Sequence, residues 1–267
     1  MGEQYQDDLT FSNLEFYRRN HGKQLYYSWA GMIWWTPTPG GTSEKLFSIV
    51  GMNATKVFIR EHPEYGEAGH RINRELALYC HPDTGEILYS WQAHPDADPV
   101  AVVPIANRVV QGTVRPRELT VPKGQAYKKV VNEIPLTYPH PLATDETFRD
   151  YCPGAQFQGT EYFTSYISRP GETKVPPAEW ARDCPWLPWM RLGYGNPTRL
   201  RFETTIDRVD SFEELNSKLV ALVRDRVPIY EFTPDQTDEP NVTSITYFKQ
   251  HFEAYLRGEA FPIREAQ

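Results

Sequence analysis

The sequence is short of several things at once. Of its 267 residues only 3 are cysteine. Cys80, Cys152 and Cys184 are odd in number and widely spaced, with no CxxC pair and no small disulfide framework, which points to a reduced interior. No apolar run approaches the roughly 18 residues that span a bilayer as a helix. Positive charge is in deficit: Lys+Arg 28 against Asp+Glu 35 leaves a net charge of -7. The basic residues never run beyond a pair such as Arg18-Arg19 or Lys128-Lys129, so the electrostatic footprint of a nucleic-acid-binding protein is missing. The opening Met1-Gly2-Glu3-Gln4-Tyr5-Gln6-Asp7-Asp8 is polar and acidic where a signal peptide is apolar. A cytoplasmic protein is therefore expected, with neither nucleic acid nor membrane as a partner. Asn53-Ala54-Thr55 and Asn241-Val242-Thr243 have the form of glycosylation acceptors, and in that compartment they are chance matches.

Chemical signatures are missing too. GxGxxG, GxxxxGK[ST] and GxSxG do not occur, which removes the local marks of nucleotide cofactors and of α/β-hydrolase chemistry. The 7 histidines show neither HxH nor HExxH spacing. No cofactor and no metal are expected, although ligands gathered across strands would leave no such trace.

What is abundant is proline, 23 residues where about 5% is usual, and aromatic side chains, 7 Trp, 16 Tyr and 13 Phe. Proline is excluded from helix interiors, so this composition disfavours a mainly helical protein. Helix signals are confined to the ends. Ser12-Asn13-Leu14-Glu15 has the form of a capping box and predicts a helix over about 13–20. Ser211-Phe212-Glu213-Glu214 predicts a second, with Leu215, Leu219, Leu222 and Val223 at helical spacing. A third is expected over 244–257, with Ile245, Phe248, Phe252 and Tyr255 on one face.

Between them the pattern has period two. Strands are expected at 24–35, 46–60, 72–80, 86–92, 100–114, 125–137, 160–168 and 198–209. In the last, Leu200, Phe202, Thr204 and Ile206 alternate with Arg199, Arg201, Glu203 and Thr205, the mark of a sheet with one wet face. Gly51, inside a long strand, signals a bulge or a close approach to the backbone. His81-Pro82-Asp83-Thr84-Gly85 suits a tight hairpin. The expected fold is mainly β: a single antiparallel β-barrel, lipocalin-like or related. One domain covers 1–267, with an N-terminal helical segment at 1–22, the barrel at 23–210 and packing helices at 211–267.

Ionisable residues on otherwise apolar strand faces carry the chemical signal. Glu161 shares parity with Phe163, Glu75 with Tyr79, and Glu133 with Val131; Arg74 lies beside Glu75 on the other face. A carboxylate facing a closed apolar cavity has a raised pKa and serves as a general acid or base. The alternative is that each glutamate points to solvent or pairs with an arginine. Asn107, inside an apolar run, needs partners, either in a ligand or in a neighbouring strand. Cys184-Pro185-Trp186-Leu187-Pro188-Trp189-Met190 either walls a pocket or plugs the barrel end as core.

Arg74-Glu75-Leu76-Ala77-Leu78-Tyr79, Pro82-Asp83-Thr84-Gly85-Glu86-Ile87-Leu88 with Trp91, and Ile134-Pro135-Leu136-Thr137-Tyr138-Pro139-His140-Pro141-Leu142 resemble the domain-of-unknown-function family numbered eighteen thirty-eight. So do Pro185-Trp186-Leu187-Pro188-Trp189-Met190, Asp210-Ser211-Phe212-Glu213-Glu214-Leu215 and Thr243-Ser244-Ile245-Thr246-Tyr247-Phe248-Lys249. The resemblance runs in order from about residue 46 to 252 and implies no activity. The chain departs from that pattern at Cys80-His81 (Leu-Asp expected), Asn107-Arg108-Val109 (Asn-Asp-Pro) and Ile245 (Trp).

The reading that joins these features is a cofactor-independent enzyme, a lyase, isomerase or cyclase, acting on an apolar or aromatic small molecule inside the barrel. Glu161 or Glu75 would transfer the proton, and Tyr79, Asn107 or Arg74 would stabilise developing charge. Tyr27, Trp29, Trp91, Phe163, Trp186, Trp189, Met190 and Tyr247 would line the substrate. The alternatives are a non-catalytic carrier of a hydrophobic compound, or an interaction module forming a homo-oligomer through exposed aromatics. Convergent ionisable side chains would favour the enzyme, a purely apolar lumen the carrier, and a solidly filled cavity the interaction module.

Overall fold

The computed structural model describes residues 7–169, 171–172 and 174–259. Most of the stretch read as no signal peptide, and the last eight residues of the expected 211–267 segment, lie outside them.

Among the described residues twelve strands follow in chain order: β1 (Leu9–Ser12), β2 (Gln24–Thr36), β3 (Glu44–His62), β4 (Gly66–Cys80), β5 (Ser90–Trp91), β6 (Val100–Ala101), β7 (Ile105–Val114), β8 (Glu118–Val121), β9 (Tyr127–Pro139), β10 (Gln156–Ser168), β11 (Ala178–Pro185) and β12 (Arg199–Val209). Four short α-helices, again among the described residues, join them: α1 (Leu14–Arg19), α2 (Ser217–Arg226), α3 (Ser244–Gln250) and α4 (Phe252–Leu256). Eight strands form one antiparallel sheet in the order β7-β4-β3-β2-β12-β11-β10-β9, while β1 pairs with β8 and β5 with β6. The mainly β, antiparallel expectation holds.

Closure does not. β7 and β9 end the sheet without pairing with each other, and it curls into a half-barrel. The outer edge of β7 is taken instead by the C-terminal segment, whose Val242 N–H donates to the Val109 carbonyl at 3.0 Å and whose Asn241 Oδ1 accepts from the Gln111 amide. Beyond it, α3 packs on β7. Phe252 then meets Phe148 at 4.6 Å between ring centroids and Tyr151 at 5.1 Å, in the 3-10 turn Glu146–Tyr151 that follows β9. An aromatic helical cluster therefore bridges part of the gap that hydrogen bonds close in a barrel.

Several elements differ from expectation. The 86–92 strand is reduced to Ser90–Trp91 after a bridge from Ile87 to Cys80. The 100–114 strand breaks at Val102–Pro104, where proline has no N–H to give. β1, β8 and β11 are additional. Ser211 opens only the 3-10 turn Phe212–Glu214; α2 begins later, capped by Asn216 Oδ1 accepting from the Lys218 amide. The 244–257 helix is broken at His251. The hairpin at 81–85 forms as expected, with Gly85 in the left-handed region at φ 68° and its N–H donating to the His81 carbonyl.

The outer face of the sheet is covered. Tyr26 packs on Phe212, its hydroxyl donating to the Glu231 carbonyl, and Thr233 Oγ1 donates to the Ala54 carbonyl. These contacts, with α2, cover the outer face. Among the described residues no helix is long and apolar enough to cross a membrane.

Candidate active site

Residues paired across antiparallel strands share a face. The register joins Arg208, Tyr27, Asn53, Glu75 and Asn107 in one row. The adjacent row is Ile206, Trp29, Gly51, Ala77 and Ile105. A third, further along, runs Ile134, Glu161, Arg182, Phe202 and Ile33. Strand alternation puts all three rows on the same face. That face is the inside of the curl: Arg182 on β11 acts electrostatically on Tyr79 and Glu75 of β4, four strands away in the sheet order.

Gly51 shows why the floor has its shape. A Cβ there would lie 2.2 Å from the Trp29 ring, so glycine lets the indole lie flat on the sheet. The close approach, not a bulge, is what this glycine serves. Trp180 meets the same indole edge-on at 5.7 Å.

Among the described residues, Glu75 sits on this floor without a paired cation. Asn107 Nδ2 donates to its Oε1 at 3.0 Å and Asn53 Nδ2 to its Oε2 at 3.2 Å. Burial raises its pKa above the ordinary carboxylate value, against the opposing pull of the Asn53 hydrogen bond and of Arg182 and Arg71, and with Glu161 adding to the rise. The side chain is surrounded by protein yet keeps a water-accessible edge, as a group at the bottom of a trough does. Glu161 is different. Its Oε1 accepts from both Nε (2.8 Å) and Nη2 (2.5 Å) of Arg182, which stacks over the Trp180 ring at 5.2 Å. Burial works against the Arg182 charge, but Glu161, Cys184 and Glu75 outweigh it and hold the guanidinium pKa up. Burial also pushes the Cys184 thiol up to about 11, with Arg182 opposing, and raises the Tyr79 and Tyr27 hydroxyls. All three are protonated at neutral pH.

Of the sequence-expected catalytic residues, Glu161, Glu75, Tyr79 and Asn107 share the trough face. Arg74 does not. It lies on the outer face, its Nη1 donating to the carbonyls of Ile229 and Phe232, so it pins the C-terminal segment to β4. Glu133 is exposed on the outer face. Of the expected lining, Tyr27, Trp29 and Phe163 belong to the trough. Trp186, Trp189 and Met190 are 1–2% exposed. Trp189 packs on Tyr79 (5.4 Å), Phe47 (5.8 Å) and Trp91 (6.0 Å), so this segment plugs one end as core. Tyr247 is buried in α3 against His251, in the helical closure and not in a strand row.

Asn53 and Arg182 are absent from the sequence-based set. Asn53 stood out only as part of a glycosylation-like triplet, although its parity with Gly51 and Ile49 marks the inner face. Arg182 lies in β11, which is not legible as a strand. Three buried polar atoms of the inner face have no partner among the described residues: Asn107 Oδ1, Trp29 Nε1 and Trp189 Nε1. Asn107 lies beside Glu75, and Trp29 lies in the adjacent row, two strands from it. Burying such groups unpaired is costly, and a bound ligand or water would relieve it. Among the described residues no group of three or more His, Cys, Asp and Glu side chains is arranged to hold a metal ion.

A family model described as a protein of unknown function (DUF1838) matches residues 22–252. No curated protein and no solved structure matches.

Proposed function

Because the chain belongs to the DUF1838 family, whose description assigns no activity, its function has to be argued from its own trough, and we propose that it is an acid–base enzyme acting on an apolar or aromatic small molecule. The reaction class is that of a lyase, isomerase or cyclase, with Glu75 moving the proton. The observation that carries this reading is the carboxyl of Glu75: two amide donors hold it, no cation among the described residues forms an ion pair with it, and burial raises its pKa. A group so tuned exchanges a proton nearer neutral pH than an exposed glutamate does. The Glu161–Arg182 pair supplies a fixed dipole opposite it, and Trp29, Trp180 and Phe163 supply an apolar wall. A carrier would need only that wall, so the three convergent ionisable groups weigh against the carrier reading.

The test uses aromatic and terpenoid ketones selected by thermal shift, incubated with the protein in D2O. The wild type is expected to wash deuterium into the carbon next to the carbonyl. Glu75→Gln should still bind the same ketones but exchange about 10²- to 10⁴-fold more slowly. Equal exchange by both proteins would remove Glu75 from the chemistry.

A further inference from the structure

One pair of charges in the trough is unused by the ion pairs and by the acid–base reading. Arg208 lies opposite Tyr27 in the Glu75 row. Arg71 lies four residues before Glu75 on β4, hence on the same face. Both are exposed, and both act electrostatically on the Tyr27 hydroxyl. Among the described residues neither has a hydrogen-bond or ion-pair partner in a chain where acids outnumber bases by 35 to 28. The other trough arginine, Arg182, is paired with Glu161. Two unpaired cations on the same face, one on each side of the Tyr27 strand, are an arrangement that suits an anion.

We infer that the ligand of this trough is an amphipathic anion, its carboxylate, sulfonate or phosphate group held by Arg71, Arg208 and the Tyr27 hydroxyl. Its apolar body lies on the Trp29 ring, which covers Gly51 of β3, and its far end reaches Glu75 and Asn107. The inference rests on the trough being the binding site, and it adds the charge and the length of the ligand. Tyr27 and Glu75 stand two strand spacings apart, about 10 Å, which is the span of a fused two-ring body. The unpartnered Trp29 Nε1 asks for an acceptor on the body of the ligand, and the unpartnered Asn107 Oδ1 for a donor at its far end.

The test compares two fluorescent probes that differ chiefly in charge: 1-anilinonaphthalene-8-sulfonate and the neutral N-phenyl-1-naphthylamine. The wild type should bind the sulfonate about tenfold more tightly at low salt, from two partly exposed charge contacts, and lose that preference as salt is raised. Arg71→Gln/Arg208→Gln should bind the two probes alike, with the neutral probe unchanged. Equal affinities in the wild type, or a preference that survives the double substitution, would overturn the inference while leaving the trough reading standing. Ile206→Trp, which fills the trough, separates the two: it should abolish binding of both probes. Retained neutral-probe binding in that variant would instead overturn the trough as the site, and the anion proposal with it.

Discussion

At the scale of single residues, burial sets the chemistry more than neighbouring charge does. His140 is 2% exposed. Its Nδ1 accepts from the Leu142 amide at 3.2 Å and lies 3.4 Å from Cys152 Sγ. Burial lowers its pKa to about 4, from an ordinary value near 6.5. The unfolded chain therefore takes up a proton first. His140 contributes its full stability above about pH 6.5, and the contribution is lost as pH falls toward 4, amounting to roughly 3 kcal/mol. Glu75 acts in the opposite sense. Its folded pKa is raised, so its contribution is complete at acid pH and declines as pH rises through the folded value. The His140 effect is checked by urea unfolding between pH 4 and 7: the wild type should lose stability steeply on acidification, and His140→Gln should show a flatter curve. A curve of equal slope in both would show that His140 is not the group that titrates.

At the scale of elements, cross-strand pairs decide which strands can be substituted cheaply. Arg182 and Glu161 stand directly opposite each other on β11 and β10, with side chains 24% and 19% exposed. Removing one partner strands the other charge on a largely apolar face. Arg182→Met alone is expected to cost about 2–4 kcal/mol, and Arg182→Met/Glu161→Gln to recover most of it. Chemical denaturation of the four proteins of this cycle measures the coupling, and additive losses would mean that the pair acts separately. This pair also marks the limit of legibility in the sequence. β12 was legible because Leu200, Phe202 and Thr204 are buried between exposed Arg201 and Glu203. β11 was not, because Trp180 and Arg182 share the inner face and neither hydrophobicity nor charge alternates cleanly. The trough was half legible for the same reason. Parity groups Glu75 with Tyr79 and Glu161 with Phe163 but leaves open which face turns inward. It groups Glu133 in the same way, though that residue faces outward, and could not show that Arg182 of the neighbouring β11 neutralises Glu161 and not Glu75. The Trp186–Met190 segment was legible as aromatic but not as plug, since only the packing against Phe47 and Tyr79 separates a wall from a core.

At the scale of the whole molecule, the departure from a closed barrel has an energetic consequence. Hydrogen-bonded closure would tie β7 to β9 through backbone groups that no side-chain change removes. Here one backbone bridge, Val242 to Val109, and the Asn241 side chain hold the β7 edge, and the rest of the link runs through side chains, Phe248 and Phe252 against Phe148 and Tyr151. Phe248 is 2% exposed and Phe252 7%, so the cluster behaves as core. Phe248→Ala should cost about 3–4 kcal/mol through lost apolar contact and the cavity left behind. The loss should also be local in its dynamics. Amides of β7 at 105–114 and of the turn at 146–151 are expected to exchange with deuterium faster in this variant, while the central β2 and β3, hydrogen-bonded on both sides, keep wild-type protection. Uniformly faster exchange across all eight strands would mean that the helical cluster stabilises the sheet as a single cooperative unit. Confined acceleration would identify the β7–β9 gap as the part of the half-barrel that opens, and thus as the way into the trough beside Asn107.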